Sequence, residues 1–485
     1  MDDYKFKTKP MQHQLEAFER TRDLEFHAIL WEQGLGKSKL TVDTAGWLFS
    51  RGKIDALFIV APKSVCRTWV AEQLPQHLPD NIYKQAHVAL WTSSPRKAER
   101  EQLEGLFRPG RLSLHVLVMN VDALSTEKGR DFLKKFLGAH KALWVIDEST
   151  TIKEPSSRRG KTATKFRKLA PYRRILTGTP IARSPLDLYN QFEFLDDDLL
   201  GCSSYYGFKN RYCVLQKTWI GGRSFDQVVG YQRLDELHKV VAVHGSRATK
   251  AECLDLPDKV YQTRHVELSP RQLEAYTQLR DEAVAELEGL PTVTAPLVLT
   301  KLMRLRQVIC NHLVDEDGHG VAIDEVDPRT SEVLDILDKV DGKVLIWANF
   351  RYAIEGLHGH ISKQFGKGSC GMFYGSTSAE DRQALVEAFQ DPSSPLRFLV
   401  MNPRTGGYGL TLTAAATSIY YDNDWSLEVR LQSEDRNHRV GTKHSVLYVD
   451  LVAPGTIDEK ILNALEGKQD LSRQVTGDAW KQWFS

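Results

Sequence analysis

The sequence predicts an α/β fold in two lobes, each a mainly parallel sheet covered by helices. Three observations carry that prediction. Short, continuously apolar runs alternate with helix-length segments, the pattern of strands buried on both faces. The alternation runs through the chain before residue 186 and returns after residue 330, with a differently patterned stretch between. The length, 485 residues, exceeds what one hydrophobic core usually serves.

In the first lobe, residues 28–31 read as a strand, 37–49 as a helix and 54–60 as a buried strand. Three more apolar runs follow at 114–119, 143–146 and 174–176. The second lobe repeats the rhythm at 343–347, 370–374, 397–401, 417–421 and 445–451. In the intervening stretch, Pro270 opens a long helical segment with Ser269 placed as its cap. Residues 299–313 read as a second helix, and the last twenty residues as a helix on the surface. The expected division is a first lobe over 1–245 and a second over 246–485.

Composition narrows the function classes. Hydrophobic residues at 41% and charged residues at 26% suit a globular protein rather than a disordered or fibrous one. A net charge of +1 removes any global basicity, so a nucleic-acid site must be a local groove of lysine and arginine. The six cysteines form no C-x-x-C pair, which argues against a zinc site and a disulfide framework and fits a reducing compartment. There is no apolar signal segment at residues 1–5 and no apolar run of membrane-spanning length. The expected location is the cytoplasm, or the nucleus of a host that has one, with no membrane partner.

Three features carry chemistry. Gly34-Leu35-Gly36-Lys37-Ser38 lies between a strand and a helix, where glycines let backbone amides approach phosphates and a helix amino terminus favours their charge. Lys37 is expected on the β- and γ-phosphates of ATP, and Ser38 on magnesium (Mg2+). The run at 142–146 ends in Asp147 and Glu148. Asp147 is placed to hold magnesium through water and Glu148 to polarise the attacking water. Farther on, Arg436 and Arg439 are three residues apart, which on a helix puts both on one face. Aimed at a γ-phosphate held by the other lobe, they would stabilise transition-state charge and tie hydrolysis to lobe closure.

The ordered set of motifs resembles the Swi/Snf-type ATPases of helicase superfamily two, which are double-stranded DNA translocases, from about residue 9 to about residue 460. Gln12-His13-Gln14 resembles the adenine-reading glutamine element, with Gln14 the reader. Residues 31–38 resemble motif I, 61–65 motif Ia, Asp147-Glu148-Ser149-Thr150 motif II and Leu176-Thr177-Gly178-Thr179-Pro180 motif III. Residues 343–350 resemble motif IV, 402–415 motif V and 432–441 motif VI. Leu268 to Gln272 with Tyr276, and Leu305 to His312, resemble elements specific to this branch of the helicases.

The resemblance implies two RecA-like lobes with a helical insertion between motifs III and IV. It also implies coupling roles for Thr177, Gly178, Thr179 and Gln432. A DNA groove would run along Lys63 and Ser64, Lys153, and Arg404, Thr405, Gly406 and Gly407. The basic cluster Arg158-Arg159-Gly160-Lys161 reads equally as groove or as plain surface. Three departures stand out. Ser149-Thr150 replaces the usual alanine or glycine followed by histidine, Trp31 replaces an aspartate, and Ser426-Leu427 replaces Asn-Pro. The chain reads as a bare motor without appended reader modules, which suggests a viral or bacterial member. The sequence leaves open a strand-separating DNA or RNA helicase, an ATP-gated nucleic-acid clamp, and a protein partner of unspecified kind.

Overall fold

The computed structural model describes residues 4–108, 113–220, 223–289, 295–314, 320–406 and 410–476. The chain divides into two compact units, one built mainly from residues up to Asp255 and the other mainly from Leu256 to Gln469.

The first unit carries strands β1 (Phe26–Trp31), β2 (Ala56–Ala61), β3 (His87–Leu90), β4 (His115–Asn120), β5 (Ala142–Asp147) and β6 (Tyr172–Leu176). The pair β7 (Cys213–Ile220) and β8 (Arg223–Tyr231) makes a separate two-stranded sheet, and β9 (Gly245–Ala248) returns to the main one. That main sheet has seven strands in the order β3-β4-β2-β5-β6-β1-β9, every neighbouring pair parallel. All six residues of β2 and of β5 are buried, as helices on both faces require. Because β6 alone separates β1 from β5, the loops leaving their carboxyl ends share one edge of the sheet, where ligands bind in such folds.

Strand β9 lies across the expected boundary after residue 245: Ala28 to Trp31 pair with Gly245 to Ala248, and the main stretch of the first unit runs to Asp255.

The second unit holds β10 (Lys259–His265), the short antiparallel pair β11 (His312–Val314) and β12 (Gly320–Ala322), β13 (Lys343–Trp347), β14 (Cys370–Phe373), β15 (Phe398–Met401), β16 (Ala415–Tyr420) and β17 (Val446–Val452). Six of these form a parallel sheet in the order β10-β17-β16-β13-β15-β14. Two helix-covered parallel sheets are therefore present, as the fold class requires. The intervening stretch is less purely helical than expected, since it also supplies β7 to β12.

Its two long helices, Pro270–Gly289 and Ala295–Ile309, carry the branch-specific elements. Ser269 caps the first: its Oγ accepts from Gln272 N at 3.1 Å while Gln272 Oε1 accepts from Ser269 N at 3.1 Å. Gln272 Nε2 then donates to Val308 O (3.1 Å), joining the two elements, and Tyr276 OH accepts from Ile457 N (2.9 Å) at the start of the Ile457–Thr476 helix. The second helix stops at Ile309 rather than 313, because Asn311 turns left-handed (φ 63°) and His312 begins β11. Of the carboxyl-terminal helix expected over the last twenty residues, 477–485 lie outside the described residues. Among the described residues, no helix is long and apolar enough to cross a membrane.

One buried cation and a histidine set how the first unit responds to solvent. The Arg174 guanidinium, 1% exposed, donates to four carbonyls, those of Thr21 (3.0 Å), Leu24 (2.7 Å), Glu25 (3.0 Å) and Arg173 (2.8 Å), fastening the end of the Gln12–Thr21 helix to β6. His27 lies beside it on β1. Burial first, then the Arg174 charge, pushes its imidazole down from 6.5 to about 3. The unfolded chain therefore binds a proton near pH 6.5 that the folded unit refuses until about pH 3. Stability is full above 6.5 and falls as pH drops through that window. Thermal unfolding followed from pH 8 to pH 4 is expected to show the midpoint falling below about pH 6.5, with a shallower fall in His27→Gln. Equal slopes in both proteins would assign the effect to another group.

Candidate active site

The phosphate loop follows β1. Gly34 (φ 84°) and Gly36 (φ 83°) both adopt the left-handed conformation that glycine takes at no steric cost. A Cβ on Gly36 would also collide with the Gln14 amide. That amide, 5% exposed, braces the loop: Nε2 donates to Leu35 O (3.0 Å) and Oε1 accepts from Met11 N (3.0 Å). His13 Nε2 lies 2.9 Å from the same carbonyl. The Lys37–Ser50 helix starts at the lysine expected on the phosphates. Lys37 is buried, and its Nζ donates to Trp31 O (2.9 Å) and Glu32 O (3.2 Å), so the ammonium curls back over its own loop. Leu35 anchors the loop in the core, and Ser38 follows half-buried in the first helical turn.

At the end of β5, Asp147 is held from two sides. Trp69 Nε1 donates to Oδ2 (2.8 Å) and Glu148 N to Oδ1 (3.0 Å). Burial raises the Asp147 carboxyl above the usual carboxylate range, and the Glu148 charge adds to that. The Trp69 hydrogen bond and the Lys37 charge oppose both, which places the lysine near the carboxylate. Glu148 takes a left-handed backbone (φ 50°), a strained choice for a residue with a side chain. Gln33 Nε2 donates to its Oε1 at 2.6 Å. Its Oε2 is buried with no hydrogen-bond partner. A buried carboxylate oxygen left unpaired is costly unless something else uses it, which is what a water-polarising group needs. The donor set of Ser38 hydroxyl and Asp147 carboxylate is hard oxygen, matching Mg2+, whose charge would also relieve the strain on the paired acids.

Motif III leaves β6 against the same loop. Thr177 N donates to Ile29 O (3.1 Å) and Thr177 Oγ1 accepts from Thr179 N (3.1 Å). A Cβ on Gly178 would lie 3.3 Å from Trp31 O and 3.4 Å from Gln33 N, so only glycine gives this close approach without displacement. The first unit thus assembles Gln14, Gly34, Leu35, Gly36, Lys37, Asp147, Glu148, Thr177, Gly178 and Thr179 about one sheet edge.

The residues expected in a DNA groove are placed unevenly. Lys63 and Ser64 stand exposed at the start of the Lys63–Thr68 helix, beyond the end of β2. Lys153 instead reaches Asp187 Oδ2 (3.2 Å) with its side chain 18% exposed. In the basic cluster, Ser157 caps the Arg158–Phe166 helix by accepting from Gly160 N (3.1 Å). In the second unit, the exposed Arg404 is bound on both its Nη2 and Nε to the Asp424 carboxylate, at 2.9 to 3.2 Å. Thr405 N and Gly406 N turn back onto Asn402 at 3.2 and 2.8 Å. A Cβ on Gly406 would press on Met401 Cε (2.7 Å) and Trp347 (3.1 Å). Gly407 lies outside the described residues.

Arg436 and Arg439 do not share a helix face. The Leu427–Glu434 helix, capped by Ser426 where the family has Asn-Pro, ends before either. Both sit in the turns that follow, yet both reach one acceptor: Leu410 O lies 3.1 Å from Arg436 Nη1 and 3.2 Å from Arg439 Nη1. Arg436 is buried, with Nε also donating to Gln432 O (2.8 Å), while Arg439 is half-buried. Gln432 is buried, its Nε2 3.3 Å from Glu428 Oε1.

Two residues that hold the site have no mark in the sequence. Gln33 belongs to the motif I string without a role there, and Trp69 is a lone tryptophan whose π-helical turn (Trp69–Gln73) aims its N–H at Asp147. Only their contacts identify them.

Comparison with known proteins agrees with the motif order. Residues 16–314 match the SNF2-related domain and residues 329–441 the helicase conserved C-terminal domain. The chain is 28% identical over 469 residues to a rice (Oryza sativa subsp. japonica) protein named a probable chromatin-remodeling complex ATPase chain, covering 92% of this chain and 38% of that one. It is also 28% identical over 458 residues to human SWI/SNF-related matrix-associated actin-dependent regulator of chromatin subfamily A member 1, covering 92% and 41%. The chain thus spans about two fifths of the length of these curated relatives. Among solved structures it is similar to the Sulfolobus solfataricus SWI2/SNF2 ATPase core in complex with dsDNA, with a TM-score of 0.42 and 21% identity, over 100% of this chain and 97% of that one. The ordered motifs, the paired parallel sheets and the matched domains lead to one statement: the chain belongs to the SNF2-related family.

Proposed function

We propose that the protein is an ATP-driven motor that hydrolyses ATP and translocates on double-stranded DNA. The observation that carries this reading is the buried, unpartnered Glu148 Oε2 beside a preformed phosphate loop, with Gln33 of that loop gripping the other oxygen. The backbone amides of Gly34 to Lys37 and the Lys37 ammonium bind the phosphates. Ser38 and Asp147 are the residues that would hold Mg2+, which neutralises phosphate charge when bound. Glu148 accepts a hydrogen bond from the attacking water and draws off its proton. Gln14 reads the adenine once its amide turns from Leu35 to the base. Thr177, Gly178, Thr179 and Gln432 couple the nucleotide state to movement, and Arg436 and Arg439 supply positive charge to the transition state.

Duplex DNA is favoured as the track by the branch-specific elements, whose Gln272 and Val308 are joined and whose Tyr276 is anchored. Lys63, Ser64, Lys153, Arg404, Thr405, Gly406 and Gly407 hold its backbone. Lys153 and Arg404 exchange their carboxylate partners for phosphates, so binding should weaken steeply with salt.

The experiment is the ATPase rate without nucleic acid and with duplex DNA, single-stranded DNA and RNA, joined to triplex displacement and fork unwinding. Duplex stimulation with triplex displacement is expected. Stimulation by RNA alone, or unwinding without displacement, overturns the reading. Lys37→Ala is expected to weaken ATP binding about a hundredfold, as loss of charge-assisted phosphate contacts implies, measured by titration with a fluorescent nucleotide. Unchanged affinity would remove Lys37 from the site.

A further inference from the structure

Outside every motif named above, the Asp187–Leu195 helix turns Asp187, Asn190 and Gln191 to one side, spaced three and four residues apart. That side clasps the two segments on either side of the nucleotide site. Asn190 Nδ2 donates to Ile152 O (2.5 Å), just beyond motif II. Asp187 Oδ2 accepts from Ala182 N (2.9 Å) and Arg183 N (2.7 Å), just beyond motif III.

Gln191 joins the two directly. Its Oε1 accepts from Ser149 Oγ at 2.6 Å, and its Nε2 donates to Pro180 O at 2.9 Å and to Asp187 O at 2.7 Å. Gln191 and Ser149 are both 0% exposed. The amide can sit only this way round. Turned over, its oxygen would face two carbonyls and its nitrogen the site of the serine donor, at a position closed to bulk solvent. Both of its hydrogens are used, so it cannot follow Ser149 without pulling on Pro180. Ser149 is the residue after Glu148, whose Oε2 is the unpartnered acceptor of the site while Gln33 holds Oε1.

We propose that Gln191 is a positioning residue that carries the state of the nucleotide site from Glu148 and Ser149 to the Thr177–Pro180 segment. This rests on the motor reading above. It supplies a link at the point where Thr150 stands in place of the family's usual histidine.

The test is a double-mutant cycle of Ser149→Ala, Gln191→Met and the pair. The readouts are the ratio of duplex-stimulated to basal ATPase rate, kcat and KM for ATP separately, and the thermal midpoint. Each single variant is expected to lower the stimulation ratio at least tenfold through kcat, with KM for ATP within about threefold, and the double variant to lower it no further. Singles that keep full stimulation, or effects that multiply in the double, overturn the relay. So does a loss of basal and stimulated rates in equal proportion, in step with the thermal midpoint. A wild-type rate indifferent to duplex DNA overturns the motor reading and the relay with it. A stimulated wild type beside stimulated variants overturns the relay alone.

Discussion

Glu148→Gln is expected to bind ATP at least as tightly as the wild type and to hydrolyse it about 10²- to 10⁴-fold more slowly. The substitution keeps the shape of the side chain, so the amide oxygen can still accept from Gln33 Nε2 as the carboxylate does at 2.6 Å. What changes is the second atom. In the wild type it is an unpartnered acceptor buried in the site, and the substitution makes it a donor with no basicity. A water that would have been polarised there meets a group competing for the same role. Affinity should not suffer, because the Glu148 charge is one of the causes that raise the neighbouring Asp147 carboxyl. Removing it favours ionised Asp147 and a firmer hold on the nucleotide's counter-charge. Single-turnover hydrolysis beside equilibrium binding measures both effects, and hydrolysis within threefold of wild type would exclude Glu148 as the base.

Arg439→Ala is expected to lower turnover by about 10³-fold or more while ATP affinity stays within a few-fold. The argument is the state of the guanidinium. Arg404 already spends its charge on Asp424 in a forked pair, whereas Arg439 rests on one neutral carbonyl, Leu410 O at 3.2 Å. Among the described residues, no carboxylate pairs with Arg439 at salt-bridge distance. Burial draws it below the ordinary arginine range and Asp435 partly restores it, but it remains cationic at neutral pH. A half-desolvated cation without a counter-ion acts strongly on developing negative charge. Arg439→Lys keeps the charge but not the fork, so it should recover part of the rate. Full turnover in the alanine variant would end the assignment.

How much of this was readable follows from what each segment buries. The strands at 142–147 and 56–61 announce themselves because every residue is inside, leaving unbroken apolar runs at 142–146 and 56–61. β3, β9 and β10 do not. They lie at sheet edges, and six of the seven residues of β10 are exposed, so packing never demanded apolar side chains there. β9, Gly-Ser-Arg-Ala, has no strand signature at all. The phosphate loop and the two acids were legible because their chemistry needs fixed residue types at fixed spacing. The three-residue spacing of Arg436 and Arg439 misled about local structure, since a turn also delivers both to Leu410. Trp69, Gln33 and Gln191 were invisible because each acts through isolated contacts to segments apart in sequence, and such contacts leave no period in a sequence.

The late position of β9 also bears on biosynthesis. A ribosome must finish strands β7 and β8 and the Leu234–His244 helix before the tetrapeptide that flanks Ala28 to Trp31 emerges. Throughout that interval the nascent chain presents β1 as a raw border, an apolar ribbon of unpaired amides and carbonyls ready to recruit another copy. Slow translation across residues 213–248 is therefore expected to favour association of nascent chains over maturation.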